Sequence, residues 1–206
     1  MSRIREINSE RILESSCIEF AEKGYSATKI IDIAKKAGLP KPNIYYYFQS
    51  KENLYRCVLE SIIEPLLEAS APFDQYEDPA IALGEYIRTK IRISKEHPHA
   101  SKVFASEIMH GAPHLTKDIS DKLMSQTKHM TTRIDQWVSD GKMEPIDAQH
   151  LLFTIWASTQ TYADFDWQIG QVTGKKTLDN HDYQTATELI TRLVLKGCGL
   201  NLVEIK

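Results

Sequence analysis

The sequence predicts an all-α protein of about nine helices, an N-terminal helix-turn-helix bundle followed by a larger C-terminal helical domain. Three observations support this. Apolar residues recur at i, i+3, i+4 and i+7 in one segment after another, the spacing of a buried helical face. No segment shows sustained β alternation, and no internal repeat is visible. Between residues 28 and 53, two short helices flank a tight break at Gly38-Leu39-Pro40, and a third begins immediately afterwards.

The helices follow in order. Residues 9–24 form the first, with Ser9 as cap and Leu13, Cys17, Phe20 and Ala21 on one face. Gly24 ends it. Ile30, Ile33, Ala34 and Ala37 make the apolar stripe of the second, for which Thr28 is the expected N-cap. Gly38 suits the turn because it takes φ > 0 without steric cost. Pro40 or Pro42 fits only the opening of the next helix, where a missing N–H is harmless. In that helix Ile44, Tyr47 and Phe48 have core spacing, leaving Tyr45 and Tyr46 outward. Ser50 caps a fourth helix with Asn53 at N3, and Leu54, Val58 and Ile62 form its stripe. Pro65 is expected to kink or end it near Glu64. Residues 69–79 read as the boundary loop. Further helices are expected over 81–94, 101–110 and 114–140, then from Asp147 to about Gly170. A last one is marked by Ala186, Leu189, Ile190, Leu193, Val194 and Gly197.

Composition is that of an ordinary globular chain, 42% hydrophobic and 26% charged over 206 residues. The net charge of −3 argues by itself against nucleic acid, but its distribution does not. Residues 1–56 hold ten Lys and Arg against seven Asp and Glu, a surplus of three, so the remainder carries −6. That asymmetry places attraction for phosphate at one end of the chain. Cys17, Cys57 and Cys198 form no motif, which fits a reducing compartment. No signal peptide or membrane span is legible, so a soluble, cytoplasmic protein is expected.

A helix, a Gly-containing turn and a short helix with exposed hydrogen-bonding side chains form the pattern of a DNA reader. The stretch GLPKPNIYYYFQSKENLY resembles the recognition segment of the TetR family of dimeric one-component regulators, the likeness there spanning about residues 9–60. Pro42-Asn43 departs from the small residues often found at that place. The resemblance implies a DNA-binding domain over 1–56 and an effector-binding and dimerisation domain over 57–206. It also carries the DNA-contacting role onto Thr28, Lys41, Pro42, Asn43, Tyr45, Tyr46 and Lys51. Their chemistry agrees: Lys41 can donate to guanine or phosphate, Asn43 can pair with adenine, and the Tyr45 and Tyr46 hydroxyls can reach phosphate. Lys51 lies at a helix N-terminus, where anions are favoured.

In the C-terminal half, Trp156, Thr159, Gln160, Ala163, Asp164 and Trp167 fall on one helical stripe. Indoles mixed with hydroxyl, amide and carboxylate suit a small planar polar ligand. The same stripe equally suits packing against a partner helix in a dimer. The stretches EYIRTKIRISKEHPHASKVFASEIMHGAPHL and IDAQHLLFTIWASTQTYADF resemble the pyrimidine-utilisation regulators within the TetR family. That likeness implies a ligand such as uracil or thymine, read by Gln160, Asp164, Thr159 or Ser158. The candidate ligand-binding set is therefore Phe104, Trp156, Ser158, Thr159, Gln160, Asp164 and Trp167. Glu107, near Phe104 and Met109, reads as a structural or pocket residue, not a catalytic acid. His97, His99, His110 and His114 flank turns without a Cys or carboxylate to complete a metal set. No nucleophile–base pair or phosphate loop is visible, so neither an enzyme nor a cofactor is expected. The reading is a homodimeric, ligand-responsive repressor on a pseudo-palindromic operator, with the last two helices of each subunit forming the dimer interface. Three alternatives stay open: the same fold with no small-molecule effector, a regulator responding to an unrelated ligand, and a helical carrier or enzyme with an incidental basic tip.

Overall fold

A computed structural model describes residues 3–202, and among these every regular element is helical. There are eleven: α1 (Arg3–Ala27), α2 (Ile30–Ala37), α3 (Lys41–Phe48), α4 (Lys51–Glu68), α5 (Pro72–Gln75), α6 (Pro79–Glu96), α7 (Pro98–Met109), α8 (Lys117–Ser139), α9 (Ala148–Asp164), α10 (Asp166–Thr173) and α11 (Asn180–Gly197). The two beyond the expected nine have local causes. α5 is a single turn opened by Pro72 inside the expected boundary loop. α10 arises because the run expected to reach Gly170 breaks at Phe165 (φ −110°, ψ 35°), outside the helical region.

The chain divides into two compact units, residues 1–64 with 99–116, and residues 65–98 with 117–206. In the first, α1 begins at Arg3 instead of residue 9, and Gly24 (φ 75°, ψ 167°) interrupts it as expected. The buried face of α1 is Ile12, Ser15, Ser16, Glu19 and Phe20. It is rotated from the expected Leu13–Cys17–Phe20–Ala21 stripe, because small serines and an ion-paired glutamate are buried where a hydrophobicity pattern looks for apolar groups. Ile30, Ile33, Ala34 and Ala37 of α2 are buried as their spacing predicts. Gly38 closes α2 in the left-handed conformation (φ 63°, ψ 34°), and the N–H of Leu39 donates to the Ala34 carbonyl. Leu54, Val58, Leu59 and Ile62 of α4 complete the core. α4 continues through Pro65 to Glu68, past the expected stop.

The second unit is built on α6, which packs against α5, α9 and α11. Asp78 caps it by accepting the Ala80 N–H. Phe73 stacks on Trp137 of α8 with centroids 5.7 Å apart and meets Tyr86 edge-on at 5.3 Å. Leu83, Ile87, Ile134, Leu152 and Ile155 fill the rest, all essentially sealed from solvent. α11 opens on a capping box between Asp179 and Asp182. Its buried row is Ala186, Ile190 and Val194, while Leu189 and Leu193 of the expected stripe face outward.

Candidate DNA-reading head and effector region

α3 is too short to bury two faces, and its sequence divides accordingly. Ile44 and Phe48 are buried. Lys41, Pro42, Tyr45 and Tyr46 are exposed, Asn43 is half-exposed, and Tyr46 is the most open of the three tyrosines at 68%. Tyr47, expected in the core, is half-buried and accepts a hydrogen bond from Asn8 Nδ2 at 3.3 Å. The Lys41 ammonium lies 5.9 Å from the Tyr45 ring centroid, and the Arg5 guanidinium 5.8 Å from that of Tyr46. α1 therefore contributes a cation to the α3 surface, which the apolar pattern of its sequence gave no reason to expect.

Lys51 opens α4 beside this surface. Ser50 Oγ accepts the Asn53 N–H at 3.0 Å, the cap expected there. Lys51 Nζ donates to the Ser26 carbonyl at 3.3 Å and sits 4.7 Å over the Tyr25 ring. Partial burial draws its pKa below the usual lysine value. Tyr25 in turn packs on His114 (4.3 Å), whose ring nitrogen Nδ1 is 3.1 Å from the buried Glu107 carboxylate. Glu107 also accepts from the Tyr55 hydroxyl at 3.1 Å. Glu107 and His114 thus form part of the support under Lys51, a structural role for Glu107 in keeping with its sequence.

Thr28 requires correction. It is 2% exposed, and its hydroxyl donates to the carbonyls of Glu19 (3.0 Å) and Gly24 (2.7 Å). It ties α1 to the start of α2 and does not cap α2, whose N-cap is Lys29 without a side-chain bond. The exposed side chain at that helix start is Lys29. Choosing the better capping residue by type concealed it, because a buried carbonyl of α1 competes for the same hydroxyl.

The expected effector residues are placed unevenly. On α9, Trp156 Nε1 donates to the buried Tyr86 hydroxyl at 2.6 Å, and Gln160 Nε2 donates to Asp164 Oδ1 at 2.9 Å. Thr159 is fully buried, its hydroxyl donating back to the Ile155 carbonyl, while its own carbonyl accepts from Ser94 Oγ at 3.0 Å. Ser158 is half-buried and bonds back to the Thr154 carbonyl. Trp167 departs from the stripe: it lies on α10 beyond the Phe165 break and is 76% exposed. Phe104, half-buried on α7, belongs to the first compact unit, and the α9 residues to the second. A half-open cleft of about 510 Å³ lies in the second unit between Glu68, Gln75, Tyr76, Glu85, Thr89 and Arg92, and none of the expected effector residues lines it. Tyr86 and Ser94, which hold the α9 row in place, were not legible as site residues because their partners lie some seventy positions away.

An all-helical chain with a Gly-turned helix pair, an exposed recognition helix and a separate helical unit is the architecture of a bacterial DNA-binding regulator. The comparisons define which. The chain belongs to the TetR family: residues 12–58 match the model of bacterial regulatory proteins of the tetR family, and residues 59–201 that of the YcdC-like protein C-terminal region. It is 38% identical to the HTH-type transcriptional regulator RutR of Escherichia coli K12 over 95% of this chain and 92% of that protein. The ketosteroid transcriptional regulator KstR2 of Mycobacterium tuberculosis shares the fold (TM-score 0.72, 20% identity, 92% of this chain and 94% of that one). So does AibR, solved with isovaleryl coenzyme A and operator DNA (TM-score 0.68, 15% identity, 90% and 97% covered). No described helix is long and apolar enough to cross a membrane.

Proposed function

We propose that this TetR-family transcriptional regulator acts as a homodimeric repressor that releases its operator on binding a small planar metabolite of the pyrimidine class. The observation that carries the DNA half is the division of α3: buried Ile44 and Phe48 fix the helix, and Lys41, Pro42, Asn43, Tyr45 and Tyr46 are left outward on one short element. Lys51, Lys29 and Arg5 supply phosphate contacts around it. Two such helices would enter successive major grooves about 34–36 Å apart. Residues 1–56 serve as the DNA-binding domain and residues 57–206 as the effector and dimerisation domain. The interface uses α9 and α11, whose outward Phe153, Leu189 and Leu193 are apolar side chains that a lone subunit would leave in water.

The effector region is the α9 row with the α6 surface bonded to it. Support comes from its mixture of indole, phenol, amide and carboxylate groups, and from the resemblance to pyrimidine-utilisation regulators. Each polar group there already has a partner within the protein, so a ligand must exchange with a bond such as Trp156–Tyr86 or Gln160–Asp164. That exchange is the means by which binding would shift the population of domain arrangements. The test is fluorescence anisotropy with DNA from the protein's own promoter region. Tyr46→Ala should weaken binding about tenfold with an unchanged melting temperature, since the side chain is exposed. Equal affinity for the two proteins would remove α3 from the interface.

A further inference from the structure

Lys51 is held in place as well as exposed. An ammonium has three N–H donors. One goes to the Ser26 carbonyl at 3.3 Å and one faces the Tyr25 ring, whose centroid is 4.7 Å away. That leaves a third for an anion beside the N-terminus of α4, where backbone N–H groups favour one. A lysine loses rotamer freedom when it binds a phosphate, and one already pinned against a ring has less to lose.

What pins the ring comes from elsewhere in the chain. Tyr25 packs on Tyr55 at 4.8 Å and on His114 at 4.3 Å, and those two rings meet each other edge-on at 5.0 Å. Behind them lies the Glu107 carboxylate, 3% exposed. Its Oε2 accepts from the Tyr55 hydroxyl and lies 3.1 Å from His114 Nδ1, and its Oε1 accepts the His114 backbone N–H at 2.5 Å. One buried carboxylate thus fixes both of these rings beside Tyr25. The turn that delivers His114 is strained: Gly111 (φ 83°) and Ala112 (φ 57°) are both left-handed, and Ala112 carries a Cβ that disfavours that region. The Ala112 N–H donates to the Glu107 carbonyl at 2.8 Å, folding the chain back on the end of α7. A non-glycine residue stays in this conformation where its surroundings determine it. A carboxylate in a core is likewise less stable than an apolar residue of the same shape. Both features occur in residues 99–116, which form one compact unit with the reading head.

We propose that His114 is a positioning residue for DNA binding: latched by Glu107, it holds the Tyr25 face from which Lys51 reaches a phosphate. The DNA-binding apparatus then includes residues 99–116 besides 1–56. The proposal rests on reading Lys51 as a phosphate contact and deepens it.

The test is a double-mutant cycle read by fluorescence anisotropy on promoter DNA at several salt concentrations, with Lys51→Ala, His114→Ala and the double variant. Lys51→Ala should weaken binding about tenfold and flatten the salt dependence by about two phosphate contacts, one per subunit. His114→Ala should weaken binding about fivefold and flatten the salt dependence in the same sense, a change that lost stability alone does not produce. In the Lys51→Ala background it should add less than about twofold, because its effect passes through the lysine. His114→Leu, which fills the volume without an aromatic edge, takes the place of alanine should thermal melting show the latter unfolded at the assay temperature. Wild-type affinity in Lys51→Ala would remove the phosphate contact, and with it the role proposed for His114. A full effect of Lys51→Ala beside wild-type affinity in His114→Ala, or an equal loss from His114→Ala in both backgrounds, would overturn the positioning role and leave His114 a packing residue.

Discussion

Gly38 and Glu19 show how single residues hold the reading head. Gly38 adopts φ 63°, and a Cβ there would meet the Arg11 guanidinium at 3.0 Å. That guanidinium is itself engaged, donating to the Ala37 carbonyl at 2.7 Å. Gly38→Ala should therefore cost about 1–2 kcal/mol, lowering the melting temperature by roughly 4 °C in a scanning-calorimetry comparison. Glu19 is buried on α1 between Lys23 (2.6 Å) and Lys36 (3.0 Å). Burial, the largest single influence, raises its pKa, but the two lysine contacts outweigh it and hold the carboxyl below its usual value of 4.5. A depressed carboxylate pKa contributes stability above the unfolded value and loses it as pH falls through the folded one. The stability gap between wild type and Glu19→Gln, read by urea unfolding, should thus be greatest near neutral pH and shrink below about 4.5. Gly38 was legible from its turn. Glu19 was not, because nothing in the local sequence says that a glutamate on α1 faces inward towards a lysine seventeen residues on.

At the scale of elements, existence was legible wherever a helix had both a cap and a clean apolar row. α2 met this condition through its stripe and Gly38, and α9 began at Asp147 as expected, where the carboxylate accepts the His150 N–H at 2.9 Å. Readings failed where a backbone event had no strong residue signature, as at Phe165. The expected stop near Glu64 failed also: α4 carries Pro65 inside it and runs on to Glu68, anchored before the proline by the buried Ile62 and Ile63. The row on α11 illustrates a third case. Leu189 and Leu193 share the apolar periodicity of Ile190 and Val194, but Leu193 is 64% exposed. Periodicity cannot separate a face buried within one subunit from a face reserved for another. Leu193→Asp should therefore shift the protein from dimer to monomer in sedimentation velocity with little loss of helical signal, and a persistent dimer would place the interface elsewhere.

For the whole molecule, the output was far more legible than the input. The DNA-reading residues proposed on α2, α3 and the start of α4 lie within about twenty-five positions of one another, so their types and spacing made that surface legible, Arg5 of α1 excepted. The proposed effector region joins α6 to α9 through bonds spanning 65 and 70 positions, and only a folded chain brings them together. The two halves are connected in function if ligand affinity and operator affinity are thermodynamically coupled, each reducing the other by the same factor. The most direct measurement is an anisotropy titration of the wild-type dimer against its promoter DNA at several salt concentrations, with and without a saturating pyrimidine ligand. Binding in the absence of ligand should weaken steeply with salt, as phosphate contacts require, and ligand should reduce operator affinity at least tenfold at each salt concentration. Operator affinity that stays the same at full ligand occupancy would contradict a ligand-responsive repressor and leave a DNA-binding protein of this fold without an effector switch.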